Sequence, residues 1–181
     1  MNLALTWLPA LDHPDLLAAP TLATLTAWAA TTPQVATEVL VAQIDPDLAD
    51  TAALVAACGL DPEASVNCVL VAGKRGAIER TAAAMVRSTT RADVNHRIRT
   101  LLDVKKASFI PTDRAVADSA MEYGGITPIG LPESYRILVD APINTPTPVI
   151  IGSGVRRSKL QLPGSLLAAL PGAEVITDLA T

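Results

Sequence analysis

Short aliphatic runs, each closed by glycine, proline or a polar turn, set the limits on what this chain can fold into. "SVNCVLVAG" (65–73), "YRILVD" (135–140) and "TPVIIGSG" (147–154) are strand-length and rich in β-branched residues. "VATEVLVAQI" (35–44), "KKASFI" (105–110) and "AEVITDLA" (173–180) predict three more strands. Helical spacing alternates with them. "PDLLAAPTLATLTAWAA" (14–30) is helical, interrupted by Pro20, and Asp45-Pro46 opens a helix that Gly59 stops. "TRADVNHRIRTLLD" is helical with Asp93 near its first turn, and "TDRAVADSAM" is a short helix capped by Thr112. A last short helix lies between Pro163 and Gly172. "AIERTAAAMVR", after the turn "KRG", reads as the second strand of a hairpin, although its alanines also suit a helix. Strands and helices intermixed in this way predict an α+β fold, a mixed curved β-sheet with surrounding helices. One domain over residues 1–181 is expected, with residues 1–34 as a helical N-terminal extension.

Composition sharpens this. Half the residues are hydrophobic but only 3% are aromatic, so the core is built from Leu, Val, Ile and Ala. No apolar run reaches the roughly 18 residues that span a bilayer. The first residues lack a basic region and carry Asp12 and Asp15, which predicts a soluble, cytoplasmic protein and no secretory signal. Cys58 and Cys68 have no CxxC spacing and no histidine pair beside them, so free thiols are expected, with no metal and no cofactor. Charge is uneven. Residues 1–73 hold eight acids and no Lys or Arg, whereas all fourteen basic residues lie from Lys74 onward against ten acids. A basic half can attract phosphate while an acidic half orients it; the same residues also suit solvated helix faces.

Familiar catalytic templates are missing. "GSGVRRSK" (152–159) lacks both the phosphate-loop spacing and the third glycine of a dinucleotide fingerprint. There is no GxSxG elbow, and His13 and His96 sit in separate elements. With no acid–base pair, hydrolysis here would lean on backbone dipoles and on the substrate's own groups. "MEYGGITPIGLP" (121–132) is the candidate: Gly124 and Gly125, then Pro128, Gly130 and Pro132, make a stiff irregular loop. It is either an ordinary turn or bare backbone brought close to a ligand.

Read together, "VNCVLVAG", "RADVNHRIRTLLDVKKASF", "GGITPIG", "YRILVD" and "IIGSGVRRSKLQLPGSLL" resemble the YbaK / prolyl-tRNA-editing family. The resemblance runs in order from about residue 35 to the C-terminus and is most specific at Gly124 to Pro128 and at Asp140. It implies hydrolysis of the ester between a wrong amino acid and the 3′ ribose of tRNA, in trans, with a synthetase as a further partner and neither DNA nor membrane involved. Amides of Gly124, Gly125 and Ile126 would receive the charge of the tetrahedral intermediate, and Pro128 would hold the loop. Asn67, Asp140, Lys105, Lys106, Gly152, Ser153, Gly154, Arg156 and Arg157 complete the implied substrate-binding set, with Lys159 bordering the same pocket.

One departure matters. The family carries a functional lysine in the pattern V-x-K-T-L, and this chain reads Val66, Asn67, Cys68, Val69, Leu70. A thiol supplies no permanent cation. Three readings stay open: Lys105, Lys106, Arg156 or Arg157 replaces the charge; deacylase activity is altered or reduced; or Cys68 is itself a nucleophile. The competing class is a non-catalytic binding protein for an aminoacyl or nucleotide ligand or the tRNA 3′ end.

Overall fold

The computed structural model describes residues 3–181. Its strands divide between two sheets, and the mixed α+β architecture expected from the sequence is the one adopted. The first sheet is antiparallel throughout, in the order β1 (Leu8–Pro9), β2 (Leu40–Gln43), β8 (Ser158–Pro163), β7 (Pro148–Gly152). The second runs β5 (Lys106–Phe109), β3 (Val66–Arg75), β4 (Ile78–Arg87), β6 (Tyr135–Asp140), β9 (Ala173–Ile176). There β3 is antiparallel to β4 and β5, whereas β4–β6 and β6–β9 are parallel. A single parallel bridge, Ser65 to Ile150, joins the two sheets at the start of β3.

The alanine-rich segment is strand, not helix. Ala82, Ala83, Ala84 and Met85 are all fully buried on the central strand β4. Ala82 and Ala84 face Val71, Ile98 and Leu102, while Ala83 faces Leu70, Ile110 and Tyr135. A strand covered on both faces reads as a continuous apolar run, and small side chains let both layers come close. The hairpin turns at Gly76-Ala77, where Gly76 takes φ +62°.

Helices α1 (Ala19–Thr31) and α2 (Gln34–Glu38) cover the four-stranded sheet, with Leu25, Trp28 and Val35 packed among Val41, Val149, Ile151 and Leu160. Pro20 does not interrupt α1; it sits in the first turn, where its missing N–H costs nothing. The strand expected over 35–44 shortens to β2, because α2 takes up its first half. The helix expected after Asp45 is two pieces. Asp45 caps a short 3₁₀ turn and Asp50 caps α3 (Thr51–Cys58), its Oδ1 accepting from the amides of Ala52 and Ala53 at 3.0 and 3.1 Å. Gly59 ends α3 at φ +64°. Residues 94–98 wind as a π-turn leading into α4 (Arg99–Leu101), with Asp93 capping the His96 amide. Thr112 does not cap α5 (Thr112–Ser119); it is the first helical residue, after Pro111. β8 carries the apolar alternation of "SKLQLP", which lies between a glycine turn and α6 (Gly164–Ala168).

Candidate active site

A cavity of about 420 Å³ opens at the corner where the two sheets meet. Its walls are the first residues of β3, the end of β7, Lys159 of β8, the start of α3, and the loop carrying Tyr123, Gly124 and Ile126. Of the residues singled out from sequence, it brings together Cys68, Asn67, Gly124, Ile126, Gly152, Arg156 and Lys159.

The glycines of the loop answer first to the protein's own backbone. A Cβ on Gly125 would stand 2.5 Å from the Val155 carbonyl oxygen, and one on Gly152 would stand 2.3 Å from that of Gly125. The 121–128 loop therefore lies directly against the β7–β8 connection, an approach that only bare backbone allows. Gly154 donates its amide to the Gly125 carbonyl at 2.7 Å and accepts from Glu122 N at 2.8 Å. A trans peptide points its C=O and N–H in opposite directions. The Ile126 N–H is thus turned away from Gly154. The Gly125 amide is consumed by the Glu122 carbonyl at 3.0 Å, whereas those of Gly124 and Ile126 have no protein acceptor among the described residues. Gly124 itself sits at φ +82°.

Lys159 is the buried cation of the cavity wall. It is 7% exposed, and its Nζ donates to the Ala49 carbonyl at 2.8 Å and the Gly124 carbonyl at 3.3 Å. Among the described residues, Lys159 and Asp140 are the charged side chains in the buried interior. Burial lowers the ammonium's pKa to about 8, against the opposing pull of Asp50. A buried ammonium held only by carbonyls is costly to keep, and perturbed groups of this kind cluster at functional sites. From the sequence, Lys159 is expected at the border of the pocket with Lys105, Lys106, Arg156 and Arg157, and nothing there marks it as the buried one. Cys68 lies in the same cavity, and burial pushes its thiol up to about 12. That is the reverse of what an activated nucleophile needs.

Arg156 clasps the rim. Its Nη1 donates to the Tyr123 carbonyl and its Nη2 to the Pro46 carbonyl, both at 3.0 Å, while its backbone amide donates to Glu122 Oε2 at 2.6 Å. Thr51 Oγ1 donates to Asn67 Oδ1 at 2.9 Å, fixing the amide on the β3 wall.

The other sequence candidates lie outside this cavity. Lys105 and Lys106 do not border it; they line a separate hollow with Lys74, Phe109 and Arg114, because β5 pairs with the far half of β3. Asp140, expected near the loop, ends β6 and accepts from the Leu179 amide at 3.3 Å, so it braces the chain beyond β9. Burial raises its pKa. Pro128, at the end of the loop, is buried. Ser153 is buried, its hydroxyl 2.7 Å from that of Ser158. Gly154 abuts Ala18 and Thr21, and Arg157 reaches out to the Asp15 carbonyl. No group of three or more His, Cys, Asp or Glu gathers in metal-binding fashion among the described residues.

Comparison with solved structures shows the same fold elsewhere. The hypothetical protein APE2540 superposes with a TM-score of 0.72 at 19% identity, over 87% of this chain and 99% of its own. A candidate trans-editing enzyme for prolyl tRNA synthetase superposes with a TM-score of 0.68 at 17% identity, over 89% and 97% respectively. No curated protein matches. The family profile described as the aminoacyl-tRNA editing domain matches residues 45–170, which include the cavity walls from β3 to β8 and the glycine loop. The chain belongs to the aminoacyl-tRNA editing domain family.

Proposed function

We propose that the cavity hydrolyses the ester linking an amino acid to the 3′-terminal ribose of a tRNA, acting in trans. Membership of the editing-domain family supports the class of reaction. The observation that carries the reading to this cavity is the Lys159 ammonium, buried beside a glycine loop whose Gly124 and Ile126 amides have no protein acceptor among the described residues.

A water oxygen adds to the ester carbonyl carbon, and the carbonyl oxygen gains the negative charge. The amides of Gly124 and Ile126 receive that charge, one such donor being worth about 10²–10³ in rate. Lys159 holds the Gly124 carbonyl in place and adds a positive field at the same spot. The proton lost by water passes through the vicinal ribose hydroxyl of the substrate to the departing ribose oxygen. Collapse then breaks the C–O bond, releasing free amino acid and tRNA. Val66, Ile126, Ile150 and Ile151 give the cavity an apolar side suited to a small side chain. Such a second pocket is what editing requires where one methylene separates substrates by only about 1–3 kcal/mol.

In this reading Lys159, not Lys105, Lys106 or Arg157, answers for the lysine missing at Cys68. The test is a deacylation assay over a panel of mischarged tRNAs with the native protein. Release of amino acid from at least one of them is expected. Binding of the panel without turnover of any member would replace this reading by that of a non-catalytic binding protein.

A further inference from the structure

Tyr123 is 61% exposed, and it forms part of the rim of the open cavity. Exposed Ile78 and Phe109 line other parts of the surface, at the β3–β4 hairpin and on the outer strand β5. Tyr123 is also held. Its carbonyl accepts from Arg156 Nη1 at 3.0 Å, and the next residue, Gly124, turns at φ +82° with its Cα side against Arg156 and Ala49. The backbone under the ring is thus fixed from two sides while the ring stays in solvent. The guanidinium beside it contacts carbonyls only, which leaves its charge without a carboxylate partner among the described residues. Glu122 is engaged by the Arg156 backbone amide, and Asp47 and Asp50 belong to the cavity wall.

An exposed aromatic ring on a fixed backbone, with a guanidinium bonded to that backbone, set at the mouth of a pocket, has the chemistry of a nucleotide platform. Bases stack on aromatic side chains without regard to sequence, and a neighbouring arginine attracts phosphate. An exposed tyrosine offers a flat face at small entropic cost, since it has only two side-chain torsions to fix. We propose that Tyr123 stacks the terminal nucleobase of the RNA whose aminoacyl end enters the cavity, with Arg156 drawing the adjoining phosphate. The proposal rests on the aminoacyl-ester reading for the identity of the ligand. It adds the subsite that would discriminate an aminoacyl-RNA from a free amino acid ester.

The experiment is a binding titration of the RNA trinucleotide CCA, and of the same trinucleotide with its 3′ base removed, against native protein, Tyr123→Ala and Tyr123→Phe. Tyr123→Ala is expected to weaken CCA binding by about tenfold or more, and Tyr123→Phe to leave it within about twofold. Removing the 3′ base is expected to weaken native binding by a similar factor and to abolish the difference between native and Tyr123→Ala. Equal loss for both trinucleotides in Tyr123→Ala would overturn the proposal, because it would mark a structural role. Unchanged CCA binding in that variant, or no native binding at millimolar CCA, would overturn it as well. None of these readouts needs turnover. A protein that passes them and hydrolyses no mischarged tRNA keeps the subsite and loses the deacylase function.

Discussion

The Lys159 ammonium donates to the Gly124 carbonyl oxygen at 3.3 Å, so strand β8 and the glycine loop are tied across the cavity by a buried charge. Lys159→Met keeps the length of the side chain and removes that charge. Turnover of a mischarged tRNA is expected to fall by about 10²-fold or more, because the loop loses its tie at the Gly124 carbonyl and the developing oxyanion loses a nearby positive field. Native-like turnover in this variant, with its fold intact by circular dichroism, would remove Lys159 from the chemistry.

The same residue fixes a pH dependence. The folded pKa of Lys159 is about 8, below its ordinary value of 10.5. Between those two values the unfolded chain binds more protons than the folded one, so this group makes stability rise with pH across the window. The whole effect is on the order of 3 kcal/mol. Cys68 acts in the opposite sense from about pH 9 upward, since its folded pKa is raised. The native-minus-Lys159→Met difference in unfolding free energy isolates the lysine. It is expected to shift in favour of the native protein from pH 7.5 to pH 10. Turnover, corrected for spontaneous ester hydrolysis, is expected to drop as pH rises through about 8. A flat difference across that range in denaturant titrations would contradict the depressed pKa.

With its thiol pushed up to about 12, Cys68 is almost wholly protonated at neutral pH. In a Cys58→Ala background, alkylation by iodoacetamide at pH 8 is expected to be at least tenfold slower at Cys68 than at a free thiol. Cys68→Ala is expected to retain turnover within about threefold. Loss of turnover in Cys68→Ala, together with rapid inhibition by the alkylating agent, would instead establish a cysteine nucleophile.

Gly125 and Gly152 touch backbone where a side chain would have to stand. A Cβ at either position meets a carbonyl oxygen closer than 3 Å, and carbonyls cannot rotate aside as a side-chain tip can. Gly125→Ala and Gly152→Ala are each expected to cost about 1–3 kcal/mol of stability, visible as a lowered melting temperature. Gly76→Ala, whose Cβ would meet nothing within 4 Å, carries only the strain of φ +62° and is expected to cost about 1 kcal/mol. Equal melting temperatures for Gly76→Ala and Gly125→Ala would show that the close approach is not what the glycine serves.

The strands β3, β6 and β7 were legible because each is a short apolar run with its own turn signals. The hairpin partner β4 was half legible. Its alanines satisfy helix and strand alike, and only burial on both faces decides between them. β8 was missed because "SKLQLP" alternates weakly and follows a glycine turn; its strand character comes from pairing with both β2 and β7. The glycine loop stood out from its composition, while a role for the amides of Gly124, Gly125 and Ile126 came from the family resemblance; the fold spends the Gly125 amide on the Glu122 carbonyl. Lys159 was expected at the border of the pocket together with Lys105, Lys106, Arg156 and Arg157, since nothing in a linear sequence says which lysine a sheet will bury.

By itself the sequence determined the α+β class, the aliphatic core, the order of most elements and the glycine loop, because those follow from local periodicity and from residues whose backbone preferences are strong. Tertiary structure alone decided which lysine sits in the cavity. Lys105, Lys106 and Lys159 are equal as symbols, but β5 pairs with the far half of β3 while β8 runs beside β7 at the sheet corner. Strand pairing over long sequence separations carries one lysine to the glycine loop and leaves the other two about a hollow of their own. The same packing explains the adjacent glycines. The sequence allowed either a plain turn or backbone brought close to a ligand; in the fold the glycines first make room for the β7–β8 backbone, and the unclaimed amides are left over once that contact is formed.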